Sequence, residues 1–477
     1  MSKIHSVLLL ATSVSFITGC AQIQPKAGFE QVEQMISNRL NQQIRWVQNS
    51  EEDLAVQEQI KQLLSKDLSA DSAVQIALLN NKNLQARYES LGIAQTEVVR
   101  AGLLKNPIFS FSAKFPNEPP SSASLEFDLI GDFLNLLMLP ARKKFAAQQF
   151  EQVQLELADQ VLRFATKVKK HYFRLQFSQQ SVAVLHEIVS VYEVSFDLAK
   201  EFYTAGNIDE LQLLREQALY ETTRLQLAQN TLTVSAEKET LAQLLGLNNT
   251  QLWSIPSSLK AVPSVQPDLN NLAQLAIEQR LDLAAAGKQV ETFASKLGTT
   301  RNWRLLADAE FGITGERERD GAGSIGPALS LAIPIFDQGQ TEIAEANAYL
   351  RKSEHTLSAL VLEVQSEIRL AQQKMLASQM MAQRYQSTII PLQEKIVRLS
   401  LQQYNYMLLG AFDLLTSRQN EMRVYQDYIH AVRDYWIARA DLEQAVGGNL
   451  RFEGTGMPQK LPEKISNDQP MQQHGGH

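Results

Sequence analysis

The second half of this 477-residue chain repeats the pattern of its first half. The matching positions are residues 73–86 with 272–285, Tyr203 with Tyr404, Leu241 with Leu442 and Gly246 with Gly447. Solenoid repeats have periods of roughly 20–50 residues, so an interval of about 200 residues indicates one large supersecondary unit used twice. Two such units packed around one pseudo-axis favour a tube or a ring.

The N-terminus has the features of a secretory signal peptide. Lys3 supplies positive charge, residues 7–17 are apolar apart from Thr and Ser, and small residues precede Cys20. The apolar run is shorter than the ~20 residues that a membrane-spanning helix needs. Residues 17–20, Ile-Thr-Gly-Cys, resemble a bacterial lipobox, which predicts a covalent lipid on Cys20, and Ala21 resembles the outer-membrane sorting pattern. The alternative is an ordinary signal peptide with an incidental cysteine.

Cysteine content and charge narrow the possible functions. Cys20 is the only cysteine, so no intramolecular disulfide can form. The formal net charge is −7 and no block of basic residues occurs, which argues against a nucleic-acid partner. No later segment has the length and apolar character of a transmembrane helix, so a membrane crossing would need strands.

Long stretches without Gly or Pro predict unusually long helices. They are residues 141–205, 207–245, 340–390 and 411–446. Apolar residues recur along them in steps of three and four, as in long helices packed at shallow angles. A helix of about 60 residues would be ~90 Å long. Short connections near Gly206 and Gly410 fold each pair into an antiparallel hairpin, and Pro391 is expected to kink the third segment.

An alternating strand pattern precedes each hairpin. Residues 108–115 and 124–129 form the first pair, and residues 305–314 and 328–335 form the second, around a charged loop over 315–323. A tilted strand of roughly ten residues can cross a bilayer. Four strands cannot close a barrel, and an open edge cannot face lipid. Several chains would therefore share one barrel, and three copies would supply twelve strands.

These patterns divide the chain into six parts. They are a lipoprotein signal peptide over 1–19, an N-terminal linker or equatorial segment over 20–67, a first repeat over 68–247 (strands about 108–130, hairpin about 141–246), a linker over 248–270, a second repeat over 271–447 (strands about 305–335, hairpin about 340–447) and a flexible tail over 448–477.

Several local motifs resemble those of the TolC-type outer-membrane efflux proteins, in particular the lipid-anchored members that work with resistance–nodulation–division pumps. The motifs are residues 77–81 with Leu84 (opening helix), 103–107 (segment before the first strand), 334–339 (Pro-Ile-Phe-Asp-Gln-Gly, before the third long helix) and Tyr203-Thr204-Ala205-Gly206 (hairpin tip). The resemblance covers about residues 68–447.

This resemblance implies a mainly α fold with membrane β-strands. The family is homotrimeric, with a shared twelve-stranded β-barrel in the outer membrane, continued by a periplasmic α-helical tunnel that closes at the hairpin tips. It also implies a periplasmic adaptor protein and an inner-membrane pump as partners. The implied function is an exit duct that exports toxic small solutes and carries out no chemistry, with no cofactor apart from the lipid on Cys20.

Catalytic and metal-binding patterns are weak. Residues 321–326 match Gly-x-Gly-x-x-Gly, but a charged loop precedes them and a strand pattern follows, whereas a dinucleotide site needs a strand before and a helix after. The upstream histidines lack metal-ligand spacing on a shared helix face. His474 and His477 at the C-terminus suit copper, nickel or zinc; the alternative is an incidental polar tail or an added tag.

Carboxylates at the hairpin tips are the predicted gate. A channel that stays shut until recruited needs a constriction, and a carboxylate ring can form one because each residue occurs three times around a trimer axis. By resemblance, Asp413 corresponds to the first aspartate of an Asp-x-x-Asp gate whose second position here is Thr416. Asp209 and Glu210 at the first tip are further candidates. The alternative is that all three carboxylates lie on solvated helix faces.

Apolar residues at the tips are the predicted contact surface for the adaptor. The tip candidates are Tyr203, Gly206, Met407, Leu408, Leu409 and Gly410. Packing against the neighbouring hairpin is the alternative. A second apolar cluster, residues 133–139, is placed either near the inner bilayer interface or between domains.

Other functions remain open at this point. A structural coiled-coil lipoprotein that spaces the envelope fits the helices, but it would not need amphipathic strands. A duct for protein secretion fits both helices and strands. The substrate of an efflux duct is either a heavy-metal ion such as copper or silver, which the histidine tail favours, or a drug.

Overall fold

The computed structural model describes residues 23–115, 117, 123–132, 136–248, 252–257, 259–263, 269, 271–303, 309–318, 320–330 and 333–450. Cys20, His474 and His477 lie outside these ranges. The described chain is mainly helical with one small sheet, as predicted. None of its helices combines the length and the apolar character needed to cross a membrane.

The helices and strands occur in the same order in both halves. In the first half they are α1 (Phe29–Leu40), α2 (Ser50–Leu64), α3 (Ala70–Asn80), α4 (Lys82–Ala101), β1 (Ile108–Lys114), β2 (Ser124–Asp132), α5 (Leu139–Thr204) and α6 (Glu210–Leu245). In the second half they are α7 (Leu272–Gln279), α8 (Leu281–Trp303), β3 (Glu310–Arg317), β4 (Gly323–Ser330), α9 (Gln340–Arg384), α10 (Ile390–Asn405) and α11 (Ala411–Val446). Helices α1 and α2 have no counterpart among the described residues of the second half, and they were not predicted from the sequence.

Two compact units divide these elements. The first contains the described residues up to 32, together with 86–158 and 281–361, and therefore holds the whole sheet. The second contains residues 33–85, 159–280 and the described chain from 362 onward, and therefore holds both hairpin tips.

The stretches without Gly or Pro coincide with the long helices. α11 occupies the predicted residues 411–446, and α5 has 66 residues, which corresponds to ~99 Å at ~1.5 Å per residue. Its buried positions include Leu157, Val161, Val168 and Leu175. Their spacing of four or seven residues keeps one stripe of the helix in contact with neighbouring helices.

A turn of π-helix stands where Pro391 was expected to kink the third helix. This turn, Tyr385–Ile389, separates α9 from α10. Proline has no N–H, and its ring clashes with the carbonyl four residues earlier in an α-helix. The wider π-helical turn makes room for the proline ring. In this turn the N–H of Ile390 donates to the carbonyl of Tyr385, five residues earlier.

The four strands form one antiparallel sheet in the order β1-β2-β3-β4. The second hairpin differs from the prediction, because Arg317 pairs with Gly323 and only residues 318–322 form the loop. β3 extends this far because β2 offers it backbone partners as far as Leu125, which also pairs with Arg317. Residues 333–335, predicted as strand, lie beyond β4.

Alternation along the strands gives the sheet one apolar and one polar face. The apolar face carries Phe109, Phe111, Leu125, Phe127, Leu129, Phe311, Ile313, Ile325, Pro327 and Leu329. The polar face carries Lys114, Glu126, Asp128, Asp132, Glu310 and Glu316 among serines and Thr314, with Ile108 and Ile130 as its large apolar members. Ile325 and Leu329 are 73% and 72% exposed, so the described part of the chain leaves the apolar face uncovered at these residues.

A polar junction closes the first repeat. α6 ends at Gly246, whose left-handed φ of 70° is the usual helix-terminating conformation. The carbonyls exposed there accept side-chain donors from the α3–α4 turn. Asn80 Nδ2 donates to the carbonyl of Gly246 at 2.7 Å, and Asn81 Nδ2 donates to that of Leu244 at 3.0 Å. The last turn of a helix would otherwise leave these acceptors unpaired.

The second repeat uses the same junction with different chemistry. α11 ends at Gly447 with φ 90°. Arg280, which is buried between α7 and α8, donates through Nη1 to the carbonyl of Ala445 at 3.1 Å and to Glu367 Oε2 at 2.7 Å. A buried guanidinium thus takes the place of the Asn81 amide, and Glu367 balances its charge.

The inter-repeat linker packs across three long helices in succession. Gln176 Nε2 of α5 donates to the carbonyl of Pro256 at 3.0 Å, and Trp436 Nε1 of α11 donates to that of Lys260 at 2.8 Å. Gln379 Nε2 of α9 donates to the carbonyl of Pro263 at 3.0 Å. These donors replace the strand or helix partners that an irregular backbone lacks.

Substitution of the junction glycine should cost more than substitution of a free tip glycine. Gly246→Ala and Gly206→Ala both place an L residue at positive φ, which costs ~1–2 kcal/mol. At position 246 an added Cβ would also lie 2.9 Å from the Asn80 carbonyl oxygen, whereas nothing lies within 4 Å at position 206. Denaturant unfolding of the purified protein measures both variants. Equal losses of unfolding free energy in the two variants would contradict the close packing of Gly246 against Asn80.

Candidate functional site

The first tip, residues 203–210, joins α5 to α6. The N–H of Gly206 donates to the Tyr203 carbonyl at 2.9 Å, and the N–H of Asn207 donates to the Phe202 carbonyl at 2.8 Å. This is the Schellman arrangement, and it requires the left-handed φ of 75° found at Gly206. Glycine adopts that conformation without steric cost.

The second tip, residues 404–413, has the same backbone arrangement with a different side chain at the turn. The N–H of Met407 donates to the Tyr404 carbonyl at 2.8 Å, and that of Leu408 donates to the Gln403 carbonyl at 2.9 Å. Met407 has φ 60°, where the first tip has glycine. A non-glycine residue there stores ~1–2 kcal/mol, and such strain clusters at functional sites.

Apolar side chains project from the second tip. Met407 is 94% exposed, and Leu408 and Tyr406 are 76% and 77% exposed. Leu409 is half-buried and Gly410 is exposed. Exposed apolar groups are typical of interaction surfaces, and the role of this tip stays a prediction. Tyr406 was missed in the sequence analysis, although its position next to Met407 could have indicated it.

The three gate candidates have different surroundings. Asp209 is the N-cap of α6, and its carboxylate accepts the N–H of Gln212 at 2.9 Å. Glu210 is exposed in the first turn of α6, where an anion complements the helix dipole. Asp413 is the third residue of α11 and is also exposed.

Asp413, like Glu210, lies in the first turn of its helix, where an anion complements the helix dipole. Its helix has Gly410 at the N-cap, without a side-chain hydrogen bond, so the cap carboxylate of the first tip has no equivalent there. Thr416, the second position of the Asp-x-x-Asp pattern, donates its hydroxyl to the Phe412 carbonyl at 2.8 Å. The local structure therefore gives Asp209 a capping role, and the gate roles of all three carboxylates stay predictions.

Aromatic and polar contacts join the two hairpins close to their tips. Phe202 and Phe412 meet edge to face with ring centroids 5.7 Å apart. Farther along the hairpins, burial raises the pKa of Tyr192 of α5, and the nearby positive charge of Arg423 of α11 opposes that rise. The sequence analysis missed these pairs, because contacts between distant segments leave no local pattern.

Polar contacts also hold each hairpin together. Ser195 Oγ donates to Glu216 Oε2 at 2.7 Å in the first hairpin, and Tyr425 donates to Glu394 Oε1 at 2.7 Å in the second. Burial and the Glu394 hydrogen bond raise the pKa of Tyr425, which keeps its phenol protonated as a donor. Separation of the helices would break bonds between partly buried groups.

Metal binding finds no support in the described ranges, where no group of three or more His, Cys, Asp or Glu side chains could hold an ion. Of the second apolar cluster, residues 133–135 lie outside the described ranges, and Leu136 and Leu137 are exposed.

Comparison with known proteins identifies the fold. Residues 73–247 match the family model described as outer membrane efflux protein. No curated protein matches the chain significantly. The Campylobacter jejuni outer membrane channel CmeC is 16% identical, with 81% of this chain and 87% of CmeC covered and a TM-score of 0.64.

Two further solved structures agree. CusC is 14% identical, with 82% of this chain and 92% of CusC covered and a TM-score of 0.65. The Neisseria gonorrhoeae outer membrane channel MtrE, solved in an open state, is 16% identical, with 80% and 89% covered and a TM-score of 0.60. The resemblance to the TolC-type outer-membrane efflux proteins is confirmed. This family consists of transport channels and not of enzymes.

The capping and gating roles of Asp209 can be separated by two substitutions. Asp209→Ala removes the acceptor for the Gln212 N–H and should lower the unfolding free energy by ~1 kcal/mol. Asp209→Asn keeps an acceptor oxygen and removes the charge, so its stability should stay close to wild type. Denaturant unfolding checks stability, and channel conductance of Asp209→Asn reports any gating role. A stability loss in Asp209→Asn equal to that in Asp209→Ala would contradict the cap.

Proposed function

We propose that this chain forms the trimeric exit duct of a tripartite efflux system in the outer membrane. The sheet carries the proposal: it has one apolar face, one polar face and two edge strands, β1 and β4, at its ends. Three such sheets joined edge to edge supply twelve strands, with every backbone group paired and the apolar faces turned to lipid. The match to the efflux-protein family supports the same assignment.

The polar face would line the pore of this barrel. It carries Glu126, Asp128, Asp132, Glu310 and Glu316, against Lys114. The helical hairpins would continue the pore through the periplasm and narrow it at the tips. A spacer protein would need no amphipathic sheet, so the alternative of a structural coiled-coil lipoprotein leaves the exposed apolar face unexplained.

Asp413 is the proposed gate residue. Three copies around the pore axis would form a carboxylate ring that repels anions at the constriction. The duct opens when partner binding stabilises an arrangement that the resting trimer rarely visits. The contact between Phe202 and Phe412, one residue from Asp413, would couple the two hairpins during that change.

Neutralising Asp413 should loosen the closed state. We expect Asp413→Asn to raise the conductance of the purified protein in planar bilayers several-fold, and to make cells more sensitive to vancomycin, because the electrostatic barrier that three carboxylates place at the constriction is removed. Thr416→Ala is the matched control, since Thr416 lies one turn later and its hydroxyl bonds its own helix. Unchanged conductance and unchanged vancomycin sensitivity in Asp413→Asn would count against the gate.

The exposed side chains of the second tip form the proposed docking surface for the periplasmic adaptor, which in turn connects to an inner-membrane pump. The first-tip residues Tyr203 and Gly206 would lie beside this surface. Apolar anchors of this kind contribute most of the binding energy in an interface when the partner buries them completely. Met407 occupies the left-handed position of the turn, and its side chain is exposed in the free protein.

Replacing the apolar residues of the second tip with charged ones should prevent the duct from binding its partners. Met407→Asp and Leu408→Asp should fold normally and fail to restore growth of a deletion strain on a panel of copper, silver, a dye and hydrophobic antibiotics. Leu252→Asp is the control, because Leu252 is 93% exposed and lies in the inter-repeat linker. Full complementation by the tip variants would refute docking. The compounds that inhibit the deletion strain identify the cargo as metal ions or drugs.

A lipid on Cys20 is the proposed anchor of the mature chain to the inner leaflet of the outer membrane. Metabolic labelling with radioactive palmitate tests it, since Cys20→Ser removes the single possible thiol. Persistent labelling of that variant would exclude this site.

A further inference from the structure

We propose that the apolar face of the sheet binds the phosphorylated glycolipid of the outer leaflet through Arg317. This inference rests on the proposed function, which turns that face toward lipid. Arg317 is the one charged residue among the paired strand positions that the structure places on the apolar face. Every other charge on the paired positions lies on the polar face.

The position of Arg317 along β3 fixes its depth in the membrane. It is the last residue of β3 and pairs with Gly323, next to the loop between the strands. The opposite end of the sheet connects to the long helices. With the helices in the periplasm, the Arg317 end reaches the outer surface, where the lipid of a Gram-negative outer membrane is lipid A. Its glucosamine phosphates are anions at the level where Arg317 would lie.

A cavity of about 440 Å³ lies beside Arg317 on the same sheet. Phe111, Phe127 and Ile325 supply much of its apolar wall, and Gly321 and Gly323 lie at the loop end. Gly315 has no side chain, so the ring of Phe127 packs against its Cα. The cavity is deeper at this point than it would be with a larger residue at position 315. Glu316 also borders the cavity, but alternation directs its side chain to the polar face.

The chemistry of the cavity suits this one occupant. Acyl chains would cover the aromatic and aliphatic wall, which is otherwise exposed. The guanidinium of Arg317 presents paired N–H donors that match a phosphate group, and it has no ion pair among the described residues. Removal from water strengthens that contact, since the apolar wall lowers the local dielectric.

Binding of lipid A to the full-length protein in detergent tests the inference. We expect wild type to bind lipid A ~tenfold more tightly than the same lipid without its phosphates, as charge-assisted hydrogen bonds allow. Arg317→Gln should lose that preference, and Arg317→Lys should keep part of it. Lys114→Gln is the control, because it removes a positive charge at the same end of the sheet from the polar face.

Three results would overturn the inference: equal binding of both lipids by wild type, an unchanged preference in Arg317→Gln, or an equal loss in Lys114→Gln. Conductance of each variant in planar bilayers of neutral phospholipid separates this test from the proposed function. An Arg317→Gln channel that conducts ions but no longer prefers the phosphorylated lipid supports both the exit-duct function and the role of Arg317. Absence of conductance in both wild type and the gate variant Asp413→Asn would refute the duct, whatever the lipid preference.

Discussion

Unpaired backbone groups at the edges of the sheet set the strongest constraint on this protein. β1 and β4 each present a row of N–H and C=O groups without a partner in the chain's own sheet. In hydrocarbon each such group costs several kcal/mol, whereas the exposed apolar face is more favourable in lipid than in water. Pairing β4 of one copy with β1 of the next satisfies both demands. The proposed barrel, pore lining and arrangement of hairpins around one axis all follow from that pairing.

The duplication preserves backbone geometry and changes the side chains at its key points. Asn81 and Arg280 occupy equivalent junctions and donate to equivalent carbonyls at the ends of α6 and α11. The two tips also share a backbone conformation and differ in side chain. The left-handed position is Gly206 in the first tip and Met407 in the second. The first tip is relaxed and capped, whereas the second is strained, uncapped and apolar. This difference supports separate roles, with partner docking and the Asp413 gate both assigned to the second tip.

The sequence predicted the features that depend on local periodicity. The absence of Gly and Pro and the spacing of apolar residues located α11, and turn residues located both tips. It did not predict how the helix accommodates Pro391. A π-helical turn and a kink can each compensate for the N–H that proline lacks, and the sequence does not distinguish them. It placed β3 and β4 a few residues wrongly, because their register depends on pairing with β2. The capping bond of Asp209 and the contact of Phe202 with Phe412 arise only when the hairpins fold.

Disulfide formation between the two edge strands tests the shared barrel most directly. Cys20 is the only native cysteine, so Ser110→Cys or Ser112→Cys in β1, each combined with Ser324→Cys in β4, gives a clean background. Within one chain β2 and β3 separate these strands by about 14 Å, beyond the reach of a disulfide. The account predicts covalent dimers and trimers after oxidation in membranes, for the pair that matches the intersubunit register. Monomers alone, for every pair along the two edges, would contradict it.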